Sequence, residues 1–526
     1  MKHAFTILIN LFLLAGLISG CSSKKNKAGQ KMMDAAVELY YQEPYRPQFH
    51  FSPDSMWMND PNGMVYYDGE YHLFYQYYPD STVWGPMHWG HAVSTDLVHW
   101  QHLPIALYPD SLGYIFSGSA VIDWNNTTGF GNDNIPPMVA IYTYHDPVGA
   151  EQGRKDYQTQ AIAYSLDKGR TWTKYAHNQV LKNPGIIDFR DPKVFWYEPD
   201  KKWIMTLAVK DHISFYSSKD MKSWQHESDF RSDIASYGGV WECPDLFPLK
   251  SDNNEEKWVL IVNINPGAPN GGSGTQYFVG EFDGHTFTNE NKELFWIDYG
   301  KDDYAGVTWS DIPKSDGRRI FMGWMSNWQY SQIVPTEKWR SAMTFPRTLT
   351  LKKENGNYRI LSNPVREIKN IQEKLEIVSD LKPNKKGNYS GHLPFRSSPQ
   401  ELIITVESKT ENLKDFSLTL SNDFKQQLIL GYNAKQQQFY INRDKSGDVS
   451  FSNEFTGNHI APFSINNSKI KLHILLDVSS IEVFINEGEL VMTEIMFPSQ
   501  PYDLYKVSGS DIKVTQFEAI RLKSIW

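Results

Sequence analysis

The chain has 526 residues, more than one ordinary domain requires, and its net charge of −9 with a pI near 5.9 offers nothing to a polyphosphate, which argues against a nucleic-acid partner. Aromatic residues make up 14% of it, with 17 tryptophans, so most of them must be core and a minority is left for ligand contact. There is no zinc-ligand spacing and no glycine-rich phosphate loop, and neither a metal nor a cofactor is expected.

At the amino terminus Lys2 and His3 precede an apolar run over residues 4–18, too short for a membrane span and right for the apolar part of a signal peptide. It ends Leu17-Ile18-Ser19-Gly20-Cys21, which resembles a bacterial lipobox. The resemblance implies a signal peptide over 1–21, lipid on Cys21 as the only membrane attachment, and an exported domain on the periplasmic or cell-surface side. A plain signal peptide with an incidental cysteine is the alternative. Residues 22–44 are polar and lysine-bearing and read as a tether. With Cys21 lipidated, Cys243 has no partner, so no intramolecular disulfide is expected.

The segment Trp57-Met58-Asn59-Asp60-Pro61-Asn62-Gly63 sets a carboxylate at the mouth of an aromatic hairpin, Met64-Val65-Tyr66-Tyr67 returning as Tyr71-His72-Leu73-Phe74-Tyr75. Alone it reads equally as a turn, because Asn, Asp, Pro and Gly are turn formers. The chain repeats the plan, however. Arg190-Asp191-Pro192 leads into a strand and its partner at 203–208, and Glu242-Cys243-Pro244-Asp245 into a strand and its partner at 258–263. Weaker copies begin at Phe116-Ser117-Gly118 and at Tyr304-Ala305-Gly306, making five hairpins.

A second element keeps the same period. Ser94-Thr95-Asp96 precedes Trp100, Ser165-Leu166-Asp167 precedes Trp172, Ser218-Lys219-Asp220 precedes Trp224, and Phe282-Asp283-Gly284 with Phe287 is a worn copy. Four short strands and their loops fill such a repeat. The expected fold over 45–350 is therefore a five-bladed β-propeller, whose inner strands converge on an axis and bring Asp60, Asp191 and Glu242 into one pocket. Separate surface turns of a β-rich domain are the competing reading.

From about residue 365 the Ser-x-Asp turns cease and alternating strands such as 418–420, 427–430 and 470–476 predict a β-sandwich over 365–526. Glu482 lies in such a strand and reads as a charge on its solvent face. Cys243, wedged between Glu242 and Pro244 without an evident base, reads as a packing residue with local influence on Glu242.

Taken together, Trp57 through Gly63, Tyr75-Gln76-Tyr77, Trp89-Gly90-His91-Ala92-Val93-Ser94, residues 116–120, Arg190-Asp191-Pro192, residues 241–247, Gly323-Trp324-Met325-Ser326-Asn327-Trp328, Pro335-Thr336 and Trp339-Arg340 form an ordered set. It resembles glycoside hydrolase family 32, the fructan hydrolases and invertases, from about residue 46 to the carboxy terminus. Tyr78, where an asparagine is common, and Phe345-Pro346-Arg347-Thr348, which varies a usual Leu-Pro-Arg-Glu run, depart from the pattern.

The resemblance implies retaining hydrolysis of β-fructofuranosyl bonds in levan, inulin or sucrose. Asp60 would be the nucleophile, Glu242 the general acid/base, and Asp191 the carboxylate that binds fructose hydroxyls and stabilises the transition state. In chemical terms Asp60 must stay ionised, for which the amides of Asn59 and Asn62 are at hand, and Glu242 must begin protonated. The implied pocket is lined by Asn59, Gln76, Trp84, Phe116, Ser117, Arg190 and Trp324. Trp57, Trp84 and Trp324 are candidates to stack on sugar faces, with core packing the competing reading. The substrate expected is a fructan or fructo-oligosaccharide attacked from its end; endo-cleavage or fructosyl transfer is the rival within the chemistry, and a noncatalytic glycan-binding lipoprotein the rival outside it.

Overall fold

The computed structural model describes residues 41–526 except 133, 134, 380 and 398. Cys21, the signal peptide and nearly all of the tether fall outside the described residues. The architecture below is that of the unit Pro47–Trp526.

Five antiparallel sheets of at least four strands follow one another along the chain. Their first strands are Met56–Tyr67, Tyr114–Ile122, Phe189–Tyr197, Val240–Lys250 and Tyr304–Thr308. Each of these lies beside the first strand of the next sheet, and the fifth lies beside the first, so they close a ring and the sheets are the blades of a propeller. The ring is sealed by chain from its far end, where Trp339–Arg340 pairs in parallel with Met56 and Trp57 in the first blade. The fifth blade runs through Arg347–Glu354 to Asn357–Pro364, past the expected end at residue 350.

The recurrent Ser-x-Asp segments are the turns between third and fourth strands. Asp96 Oδ1 accepts hydrogen bonds from the amides of Val98 and His99, Asp167 Oδ1 from Thr171, and Asp220 Oδ1 from Lys222 and Ser223. A short side chain that caps its own turn is why the motif recurs with the blades. Near the axis three inner strands are tied by polar side chains. Lys193 Nζ donates to the carbonyl of Thr308 at 2.5 Å, and Asp245 Oδ2 accepts from both the amide and the hydroxyl of Thr308 at 2.7 Å.

The remainder is a sandwich of two six-stranded sheets. Alternate residues of the facing strands, among them Leu402, Ile404, Leu418, Leu430, Leu472 and Ile474, fill its core. One sheet has a second buried face, because Leu475, Phe484, Val491 and Leu522 belong to the same apolar cluster as Trp57 and Trp324 of the propeller. Ser480–Ile485 is accordingly buried at every position.

This corrects the expectation for Glu482, which is not on a solvent face but fully buried against the propeller. Alternation identifies two faces without saying that one of them meets water. Glu482 Oε2 accepts from Arg347 Nε at 3.0 Å and Nη2 at 2.5 Å, and its Oε1 accepts from the amide of Phe345 and meets His50 Nε2, both at 2.7 Å. Arg347 also donates to Asp298, Asp303 and Thr493. A second buried arginine, Arg443 of the sandwich, reaches Asp302 and Tyr330 of the propeller at 2.5 and 2.7 Å. Burial pulls the His50 imidazole down, but hydrogen bonds from its ring to Asp477 and Glu482 prevail and hold its pKa at about 9.

Removing one partner from such a network leaves buried charge uncompensated. Arg347→Ala is therefore expected to lower the unfolding free energy by about 3–5 kcal/mol, measured by chemical denaturation, whereas Lys353→Ala, an exposed strand position, should leave the unfolding midpoint at the parent's.

Candidate active site

All five inner strands lose register at the same end of the propeller. The breaks fall between Met58 and Pro61, Ile115 and Gly118, Arg190 and Lys193, Glu242 and Asp245, and Tyr304 and Val307. Each break is a bulge, and those of the first four strands turn side chains out of the pleat toward the axis. Asp191, with φ 65°, and Cys243, with φ 41°, take the left-handed conformation that this requires.

The side chains so turned surround a cavity of about 370 Å³. It is lined by Asn59, Asp60, Gln76, Trp84, Phe116, Ser117, Arg190, Asp191 and Glu242 of the expected set. Asp60, Asp191 and Glu242 thus meet in one pocket, from three different blades.

Their surroundings differ. Asp60 Oδ1 accepts from Asn59 Nδ2 at 2.9 Å and Oδ2 from the Ser117 hydroxyl at 2.7 Å. Asn59 is itself fixed, because its Oδ1 accepts from Trp57 Nε1 at 2.7 Å. Burial raises the Asp60 pKa, the Ser117 bond opposes it, and the charge of Glu242 raises it again. Asn62, expected as a second donor, does not serve this carboxylate: its Oδ1 faces the amide of Gly118 at 3.3 Å and its Nδ2 is buried without a partner. The bulge sends it to the neighbouring blade, and Ser117 takes its place.

Glu242 is held by a cation and a phenol. Its Oε1 accepts from Arg190 Nη2 at 2.9 Å and Nε at 3.2 Å, and its Oε2 accepts from the hydroxyl of Tyr304. Arg190 also donates to Asp188 at 2.5 Å. Burial pulls the guanidinium pKa down, yet Glu242, Asp191 and Asp188 drive it well above its ordinary value, so the charge is fixed.

Asp191 accepts from the amide of Cys243 at 3.0 Å and lies 3.9 Å from Arg190 Nε. Its pKa is raised to about 7, chiefly by burial, with Arg190 pulling against the rise and the charges of Glu242 and Asp60 adding to it. The Cys243 thiol is buried 3.5 Å from Asp60 and 3.7 Å from Asp191, so it packs against those two carboxylates rather than against Glu242. Burial and the surrounding negative charge push that thiol well up, which leaves it no thiolate character.

Two tryptophans expected at the sugar face are elsewhere. Trp57 and Trp324 are both fully buried, and Trp324 packs beneath the pocket at 6.0 Å from Trp57 and 5.0 Å from Trp328. Trp328, four residues on, lines the cavity instead. Trp84 remains 37% exposed, its ring edge-on to Phe116, which stacks on His145 at 4.3 Å. His145, Tyr157, Gln158, Asp188 and Gln332 complete the lining and were not singled out by the motifs. Asp188 stands two residues before Arg190, and a charge so close to a motif was the one available signal. Tyr304 carried no signal beyond opening a strand.

The arrangement offers one carboxylate fed by two neutral donors and another clamped between a guanidinium and a phenol. That asymmetry suits a pair in which one group attacks and the other exchanges a proton.

Residues 50–364 match the N-terminal domain of glycosyl hydrolases family 32, and residues 365–523 match the C-terminal domain of the same family. A levanase of Bacillus subtilis is 49% identical over 94% of this chain and 72% of its own length. An extracellular exo-inulinase of Aspergillus awamori is 40% identical over 89% of this chain and 92% of its own. The crystal structure of an exo-inulinase from Aspergillus awamori superposes with a TM-score of 0.83 at 37% identity, covering 92% of this chain and 100% of that one. A β-fructofuranosidase from Schwanniomyces occidentalis, complexed with fructosyl-erythritol, gives 0.82 at 33% identity, over 93% and 99%. With both family matches adjoining at residues 364 and 365, and relatives of this identity along most of its length, the chain belongs to glycosyl hydrolases family 32.

Proposed function

We propose that this protein hydrolyses β-fructofuranosyl bonds of fructan and sucrose with retention, releasing fructose from chain ends. The observation that carries the reading is the placement of Asp60 and Glu242 around one cavity in unlike hydrogen-bond environments. In the first step an Asp60 carboxylate oxygen attacks the anomeric carbon while Glu242 gives its proton to the departing glycosidic oxygen. In the second, Glu242 takes a proton from water, whose oxygen displaces Asp60 and frees fructose. Arg190 and Tyr304 hold Glu242 at the angle both transfers need, and Asp191 accepts from sugar hydroxyls. The relatives named levanase and exo-inulinase support the fructan as substrate, and the second of these names supports action at chain ends.

The same reading places the enzyme outside the cytoplasm, as the word extracellular in the names of the Aspergillus relatives supports, with lipid on Cys21 as its anchor. Cys21→Ser is expected to abolish incorporation of labelled fatty acid and to release the protein from the membrane fraction.

Incubating protein that starts after residue 21 with levan, inulin and sucrose separately tests the activity. Fructose as the sole early product is expected, and a ladder of oligosaccharides from either polymer would replace end-attack by internal cleavage. Asp60→Asn and Glu242→Gln should each cut kcat by roughly 10³-fold or more in a protein that stays folded by circular dichroism. A folded Asp60→Asn protein of near-parental activity ends the assignment.

Asp191 also has a stability signature. Its folded pKa lies above its unfolded one, so the native state binds the proton more tightly, and stability is lost as pH rises from about 4 through about 7. Asp191→Asn keeps the acceptor for Cys243 and removes the titration. Its melting temperature should exceed the parent's by at least about 2 °C at pH 8, and the difference should vanish by pH 4, while activity falls.

A further inference from the structure

A second cavity opens at the opposite ends of the inner strands. At about 630 Å³ it is larger than the catalytic one and within the size range of sugar and cofactor sites. The tie between Lys193, Asp245 and Thr308 stands between the two, so the second cavity is separate from the catalytic pocket.

Two observations point to a ligand. The first is its aromatic rim, where Trp124 is 61% exposed while Trp196 and Trp258 are half-buried. Among the described residues only Trp84 and Trp124 are exposed tryptophans, and they stand at the two mouths. Trp124 is not a loose surface ring, because its Nε1 donates to Asp311 Oδ1 at 2.8 Å and the same carboxylate accepts the amide of Ile122 at 3.0 Å. An apolar plane is thereby held open to water at a fixed angle, which is costly unless something covers it.

The second is Arg319 at the cavity wall. No carboxylate of the described residues lies within ion-pair distance of it, and its hydrogen bond to the carbonyl of Trp309 is long, at 3.5 Å. Its guanidinium rests over the Phe247 ring, 4.8 Å from the centroid, with forked donors left for a ligand. A flat indole beside a fork of donors and the Asp311 carboxylate is the chemistry that grips a ring with one apolar face and hydroxyls on its edge.

We propose that this mouth is a second, noncatalytic glycan site that takes a segment of fructan chain, stacked on Trp124 and hydrogen-bonded by Arg319. The choice of fructan rests on the proposed function; the site itself does not. It holds the enzyme on its polymer while the opposite mouth turns over chain ends.

Native electrophoresis of the full exported domain through gels containing levan, inulin or dextran tests this. Four proteins are compared: the parent, Trp124→Ala, Trp84→Ala at the catalytic mouth, and the double variant. Trp124→Ala should lose about tenfold in apparent affinity for at least one fructan with its sucrose turnover unchanged, Trp84→Ala should remain retarded, and the double variant should run as in an empty gel. Equal retardation of Trp124→Ala and the parent in both fructans overturns the proposal, as does loss of all retardation in Trp84→Ala alone. Retardation by dextran to the same degree overturns the choice of fructan. Absence of hydrolysis in the parent would count against the catalytic reading only, since retardation is read without turnover.

Discussion

Buried carboxylates have to be collected by something, and in this protein three arginines do it. A guanidinium has five donors in a fixed fork and keeps its charge under burial, so it can hold acids from several elements at once. Arg190 gathers Asp188 and Glu242 and lies beside Asp191; Arg347 gathers Asp298, Asp303 and Glu482; Arg443 gathers Asp302 and Glu494. The first organises the pocket. The other two join propeller to sandwich reciprocally, one arginine being supplied by each. At the joint too the acids outnumber the arginines, and burial, with the charges of Asp298 and Glu482, drives Asp303 well above the ordinary carboxylate range. In the pocket one cation faces four acids, and burial, joined by the repulsion of neighbouring carboxylates, lifts Asp60 and Asp191.

That imbalance is made possible by the bulges. A regular inner strand would alternate its side chains between the two faces of its blade, and none would point down the axis. In the first four blades the bulge directs a polar group inward, at the cost of left-handed backbone at Asp191 and Cys243. The pocket is therefore not a cleft between finished parts. It is the place where all five blades depart from regularity together.

Much of this was legible in the sequence because the departures carry their own residues. A carboxylate one or two residues before a proline at a strand start interrupts a ladder, so Asp60, Asp191 and Glu242 announced themselves through repetition. The Ser-x-Asp turns were equally legible, since a side chain that caps its own turn acts locally. What failed depended on partners distant in sequence. Glu482 lies in a strand whose alternation is ordinary, and only the propeller on its outer side buries it. Asn62 and Ser117 exchanged roles because a bulge decides which of two nearby donors meets Asp60. Trp324 and Trp328 lie in one motif, and four residues decide which is floor and which is wall. Trp124 lies outside every motif, and only the cavity at the far ends of the inner strands gives it a place.

The parallel pairing of Trp339–Arg340 with Met56 and Trp57 has a consequence for how the molecule comes into being. The strand that carries Asp60 is among the first to leave the ribosome and among the last to be completed, because its neighbour on the side away from Glu70–Tyr78 is made only after nearly the whole propeller. Closing so long a loop delays the contact but gives it cooperativity. Leu475 and Phe484 then cover the cluster around Trp57 from a still later part of the chain. The apolar floor behind Asp60 is therefore complete only when the sandwich strands that carry Leu475 and Phe484 have been added.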